Sequence, residues 1–169
     1  RDRQHIKEHI VELMTQSDEH IQEQLSEAIT VIGKCDFPDQ WPTLLDTMIK
    51  QCHQQSSSSF RSINGVLKTA HSLFERYRYE PKSDELWMEI KLVLEKFAPA
   101  FTELFKLLMT YYPQKESDLK EVKNIFHALL IMIKIFFDLN AQELPEHFED
   151  HLSLYMSHFL TLLAYDHSQ

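Results

Sequence analysis

The sequence predicts an all-α fold, about seven helices stacked in antiparallel pairs, and two features of the chain carry that prediction. Apolar residues recur at helical spacing along most of the 169 residues, while only two glycines and six prolines are present. Tight β-turns demand more of both. A third feature, 43% hydrophobic content, supplies the core: a domain near this size hides roughly 70% of its unfolded surface.

Ile6, Ile10, Leu13 and Met14 mark the first helix, and Ser17 and Asp18 supply a stop and a fresh N-cap. In the next run Ile21, Leu25, Ala28, Ile29 and Ile32 form one stripe. Glu19, Glu23, Ser26, Glu27 and Thr30 are expected on the opposite, acidic face. Segment 33–40 closes that helix. Pro38 and Pro42 flank Trp41, where a third helix is expected to open, because first-turn amides lack partners and tolerate proline. Leu44, Leu45, Met48 and Ile49 continue it. A polar, serine-rich loop at 54–59 precedes an apolar arc of Ile63, Val66, Leu67, Ala70, Leu73, Phe74 and Tyr77, with Arg61, Lys68, Ser72 and Glu75 opposite.

Pro81 ends this helix and Ser83 caps the next, with Asp84 and Glu85 at the positive end of its dipole. Apolar positions run from Leu86 to Leu108 across Pro99, which predicts one long helix bent at the proline, two shorter helices being the alternative. Segment 113–117 separates it from a helix running to about Leu139, and Pro145 opens a last one ending near Tyr165. The pairs fall over residues 1–34, 38–79 and 83–139, with a final helix over 145–165, in one domain. Their repeat of roughly 40 residues is the period of HEAT and armadillo units. An irregular helical bundle gives the same spacing.

The net charge of −9 opposes a phosphate-tracking role, since nucleic-acid affinity comes largely from Lys and Arg displacing counterions. Cys35 and Cys52 have no metal-type spacing, and a chain with this core needs no disulfide staple, so a reducing compartment is expected. The run 128–137 is broken by Lys134 and is well short of the roughly 20 residues that span a bilayer. The chain opens on Arg1, already inside an amphipathic pattern, as a piece of something longer would.

The segment Phe37-Pro38-Asp39-Gln40-Trp41-Pro42-Thr43-Leu44-Leu45 resembles a helix opening that recurs in the importin-beta superfamily of nuclear transport receptors, the karyopherins. A second stretch is more specific: Ile63-Asn64-Gly65-Val66-Leu67-Lys68-Thr69-Ala70-His71-Ser72-Leu73-Phe74, then Arg76-Tyr77-Arg78, then Glu85-Leu86-Trp87-Met88-Glu89-Ile90-Lys91-Leu92-Val93-Leu94. With Leu144-Pro145-Glu146-His147-Phe148-Glu149-Asp150, it resembles the export receptors of that superfamily, and the resemblance covers essentially the whole chain as an N-terminal part of their HEAT array. The polar loop at 51–59 departs from the pattern and suggests a divergent homologue. The first repeats and all the later ones, on which the family relies for grip, lie outside this sequence.

The resemblance implies a carrier without enzymatic activity that shuttles between nucleus and cytoplasm, holding Ran-GTP and an importin-alpha cargo together until GTP is hydrolysed. If both ligands prefer one curvature of the solenoid, each raises the affinity of the other by the same factor. The resemblance also places the second helix of each pair on the inner face, here around 18–34, 60–79 and 117–139. Glu19, Glu23 and Glu27, together with Arg61, Lys68 and Glu75, are therefore the candidate partner-binding residues, set against the alternative that they are solvated helix faces.

Other readings are weaker. His5-Ile6-Lys7-Glu8-His9 matches the H-x-x-E-H pattern of zinc proteases, but a catalytic zinc needs a third protein ligand that no downstream spacing nominates. Surface residues of an amphipathic helix are the plainer expectation, with no metal and no cofactor. No phosphate loop, dinucleotide fingerprint or nucleophile elbow is present. A HEAT scaffold of another kind, a phosphatase or coat platform, is the serious rival, and indifference to the nucleotide on Ran would mark it. Along 124–139, Phe126, Leu129, Leu130, Ile133, Phe136 and Phe137 form a stripe with Ile131 and Ile135 away from it, which predicts a helix sandwiched between neighbours rather than one lying on a membrane. The ends of a solenoid section expose internal faces, so self-association is expected of the isolated segment.

Overall fold

A computed structural model describes residues 2–55, 60–111 and 118–164. Among them are eight α-helices and no strand: α1 (Asp2–Gln16), α2 (Glu19–Asp36), α3 (Leu44–Gln55), α4 (Phe60–Phe74), α5 (Asp84–Tyr111), α6 (Leu119–Asn140), α7 (Glu146–Asp150) and α8 (Leu152–Leu163), with a 3-10 turn over Glu75–Arg78. Caps explain the starts. Asp18 accepts from the amides of His20 and Ile21, Asp118 from those of Lys120 and Glu121, and the Ser83 hydroxyl from that of Leu86.

The helices stack in two layers. α1, α3 and α5 neighbour one another in the first, and α2, α4 and α6 in the second, where the packing is closer. A stack with one layer more tightly spaced curves toward that layer. α4 sits at the centre, against α1, α2, α3 and α6, and only Arg61, Lys68, His71 and Ser72 of its residues escape full burial. Beside α5, Tyr155 of α8 stacks on Phe105 at 5.0 Å and meets Phe136 of α6 at 4.7 Å.

Several elements differ from expectation, each for a local reason. The final helix is two, because His151 leaves helical geometry (φ −104°, ψ 8°) and divides α7 from α8; its expected end at Tyr165 lies outside the described residues, as do 56–59 of the serine-rich loop and segment 113–117. Pro42 precedes α3 rather than opening it. The chain first doubles back so that the amides of Gln40 and Trp41 both donate to the Asp36 carbonyl, which buries the Trp41 ring beneath Lys7. Lys7 is itself buried, paired with Asp36 at 2.6 Å. Pro99 does not divide α5, which runs on as one helix.

The largest correction concerns α2. Ser26 and Thr30, expected on the acidic face, are buried with Gln22 and Gly33, while Ile21 is 41% exposed. The reason is close approach to α4. Ser26 shares a 2.8 Å hydrogen bond with Thr69, and Gln22 lies across Gly65 so tightly that a Cβ there would stand 2.7 Å from its Cδ. Likewise α6 buries Ile131 and Ile135 but leaves Leu130, Ile133 and Phe137 open, since no described helix packs on that flank.

Candidate partner-binding face

The solvent side of α2, α4 and α6 carries the candidate residues. Glu19, Glu23 and Glu27 are all exposed, one turn apart along α2. Lys68 of α4 reaches across to Glu23 at 2.8 Å, and this hydrogen bond, then the ammonium charge, holds the Glu23 carboxyl below its usual range. Lys34 of α2 pairs at 3.6 Å with Glu75, which opens the 3-10 turn after α4, so here the lysine is on the α2 side. Arg61 does something different: it is half-buried and donates to the Ser17 carbonyl at 3.3 Å, fastening the start of α4 to the turn between α1 and α2.

The six residues therefore split. Glu23 and Lys68 pair with each other and Glu75 pairs with Lys34, Arg61 is a structural tie, and Glu19 and Glu27 make no ion pair among the described residues. The charged residues of α6 that the sequence reading passes over adjoin them. Lys123, His127 and Lys134 are exposed there, and the charges of Lys68, Lys134 and Lys123 reach His127, as does that of Glu19. Desolvation, followed by those lysines, depresses the His127 pKa below its ordinary value. Across one face the charge thus runs from acidic on α2 to basic on α6. The sequence carries a signal for them, in the Lys123-to-Lys134 spacing of three helical turns, but the apolar residues between the two lysines mask that polar face.

Behind this face a buried carboxylate fixes α6 against α4. Asp138 accepts from His71 Nδ1 at 2.7 Å and from Arg78 Nε at 2.5 Å, and the Arg78 guanidinium also lies 4.5 Å from the Phe137 ring. Asn64 adds a bond to the Asn124 carbonyl at 3.1 Å. Between α5 and the end of α6, a groove of about 570 Å³ floored by Leu86, Ile90, Leu94 and Leu139 lies beside the exposed Trp87. No helix is long and apolar enough to cross a membrane among the described residues.

Compared with known families, residues 73–169, more than half of the chain, match the model of the Cse1 family. The chain belongs to the Cse1 family. Its relatives include the exportin-2 of Danio rerio, 50% identical over 165 residues, and that of Homo sapiens, 49% identical over the same length. The matches cover 98% of this chain and 17% of each relative, so the chain spans about a sixth of their length. Among solved structures, the exportin Cse1 in its cargo-free, cytoplasmic state superposes with a TM-score of 0.87 at 38% identity, over 98% of this chain and 18% of that one. The Cse1 relationship fixes the architecture as a HEAT-repeat α-solenoid.

Proposed function

We propose that this chain is a segment of a nuclear export receptor which, as the whole protein, carries importin-alpha from nucleus to cytoplasm in complex with Ran-GTP. One observation carries the reading: identity of 50% to an exportin-2 extends across 98% of the chain, so both helix layers are included. The described solvent face of the second layer supports it. A row of acids on α2 facing lysines on α6 suits a partner that itself presents basic and acidic patches side by side, since complementary charge fixes register and speeds encounter. The helix pairs at 1–34, 38–79 and 83–139 act as rigid units, and curvature changes at their junctions couple the two ligands. The segment does no chemistry, and the receptor shuttles between the two compartments.

The test is a titration of importin-alpha onto the full-length parent protein with Ran-GTP, with Ran-GDP and without Ran. Affinity should rise about tenfold or more only with Ran-GTP, equivalent to about 1.4 kcal/mol of coupling. Replacing Glu19, Glu23 and Glu27 with Gln should weaken Ran-GTP binding and steepen with falling salt, while the helical signal stays unchanged. Three coincident curves would instead indicate a scaffold indifferent to nucleotide.

A further inference from the structure

The His5-to-His9 segment plays no part in the carrier reading, yet its geometry is ordered. α1 turns Lys7, Ile10, Val11, Met14 and Thr15 inward, which leaves His5, Glu8 and His9 on the opposite, exposed side. Residues three and four apart on a helix are neighbours one turn away. Here the result is that one ligand atom from each of the three lies within 4.8 Å of the others, with the two imidazole centroids 4.7 Å apart. Neither imidazole has a hydrogen bond or ion pair among the described residues, and Glu8 accepts only one bond, from Gln4 Nε2 at 3.2 Å. Asp2, Glu8 and Glu12 outweigh Arg3 among the exposed charges of the same helix, and the chain as a whole carries −9, so the local field favours a cation.

We propose that α1 carries a surface site for a divalent transition ion, zinc in particular, with His5 and His9 as nitrogen ligands and Glu8 as the oxygen ligand. Two imidazoles with one carboxylate suit a borderline ion and disfavour magnesium or calcium, which take all-oxygen shells. The helix backbone already sets the spacing, and rotations of exposed side chains close the ligands to bonding distance of about 2.1 Å. Water, or an acidic or imidazole side chain of a docking partner, completes a tetrahedral shell. The site binds rather than hydrolyses: all three residues are exposed on a helix surface, and the one carboxylate is engaged as a ligand and so is not free to act as a base. A second one-turn pair, His147 and His151, stacks at 4.6 Å but is engaged elsewhere, His151 Nδ1 donating to the His147 carbonyl at 2.7 Å and His147 Nε2 bonding Thr102 at 2.9 Å.

Zinc chloride titrated into the full 169-residue chain against a chromophoric zinc indicator tests this, with His5→Ala, His9→Ala and Glu8→Gln beside two controls, Cys35→Ser and His147→Ala. One zinc should bind the parent chain and both controls. Each histidine variant should bind about tenfold or more weakly and Glu8→Gln a few-fold more weakly, because losing one donor breaks the chelate. Lowering the solution from about pH 7.5 to about pH 5.5 should release the ion as protons compete for the imidazoles. Zinc should also raise the Tm of the parent chain and leave that of His9→Ala unmoved. No binding by the parent chain, binding by the His5 and His9 variants as tight as the parent's, or loss of binding only in Cys35→Ser or His147→Ala would each overturn the proposal. The three site residues are exposed, and circular dichroism verifies that every variant is folded.

Discussion

The two sides of α4 meet their neighbours by different chemistry. Toward α2 the seam is small and polar: Gly65 and Thr69 face Gln22 and Ser26, and Gly33 receives Leu73. Toward α6 it is apolar, Val66, Ile63 and Ala70 standing among the buried residues with Ile125, Ala128 and Ile135, and one carboxylate, Asp138, is sunk into it. Both seams hold buried polar atoms. In the first these are neutral hydroxyls and amides that let two helices approach closely. In the second a charge is added to the neutral Asn64 amide, and the pairing of Asp138 with Arg78 fixes which residues of α6 stand beside the 3-10 turn. Close approach and register are separate problems, and the two flanks of one helix solve them with different side chains.

Removing the charge from the α6 side should have the greatest effect. Asp138→Ala leaves Arg78 and His71, each about one-fifth exposed, without their acceptor. Truncating one member of a buried pair costs about 3 kcal/mol, and urea denaturation of the chain should report it as a lowered midpoint. A smaller loss would mean that solvent reaches Arg78 and that register is held by Asn64 instead.

On the α2 side, Gly65→Ala brings a methyl within 2.7 Å of the Gln22 Cδ. Alanine raises helix propensity by about 1 kcal/mol over glycine, but overpacking a tight contact costs about 1–3 kcal/mol, so a net loss of about 1 kcal/mol is expected. Combining it with Gln22→Ser should return most of the loss. If the single variant is instead more stable, the seam has room to part, and closeness is not what the glycine supplies.

Acid gives the weakest effect and separates the sides by titration. His127 of α6 and His147 of α7 have pKa values held below the ordinary histidine value, in both cases mainly by desolvation. The unfolded chain therefore takes up these protons first. Their contribution to stability is complete above about pH 6.5 and falls away as pH drops from there toward their depressed folded values. The buried α2–α4 seam contains no histidine, so Tm measured across this window should shift less in a His127→Gln, His147→Gln double variant than in the parent chain.

The apolar arc of α4 was legible in the sequence: Ile63, Val66, Leu67, Ala70, Leu73, Phe74 and Tyr77 are all buried, because a helix surrounded by neighbours satisfies any amphipathic reading. Periodicity failed where a second neighbour changed the sum. Ser26 and Thr30 look like solvent-facing residues until α4 stands beside them, and Leu130, Ile133 and Phe137 look like core until no helix does. Asp138 and Lys7 were invisible as buried residues, since charge reads as surface and only their partners, Arg78 and Asp36, reverse that. Of the candidate face, the exposed row Glu19, Glu23 and Glu27 was legible from spacing. The Lys68–Glu23 contact joins residues 45 positions apart, a distance no local pattern spans.

The central position of α4 also sets a clock. Helices open to solvent on one side exchange their amide hydrogens through small local excursions. α4, packed against α1, α2, α3 and α6, meets solvent only along the strip of Arg61, Lys68, His71 and Ser72, and most of its amides wait for the whole stack to part. α7, five residues long, waits for little. The same backbone thus keeps two times, slow along α4 and faster at the short α7.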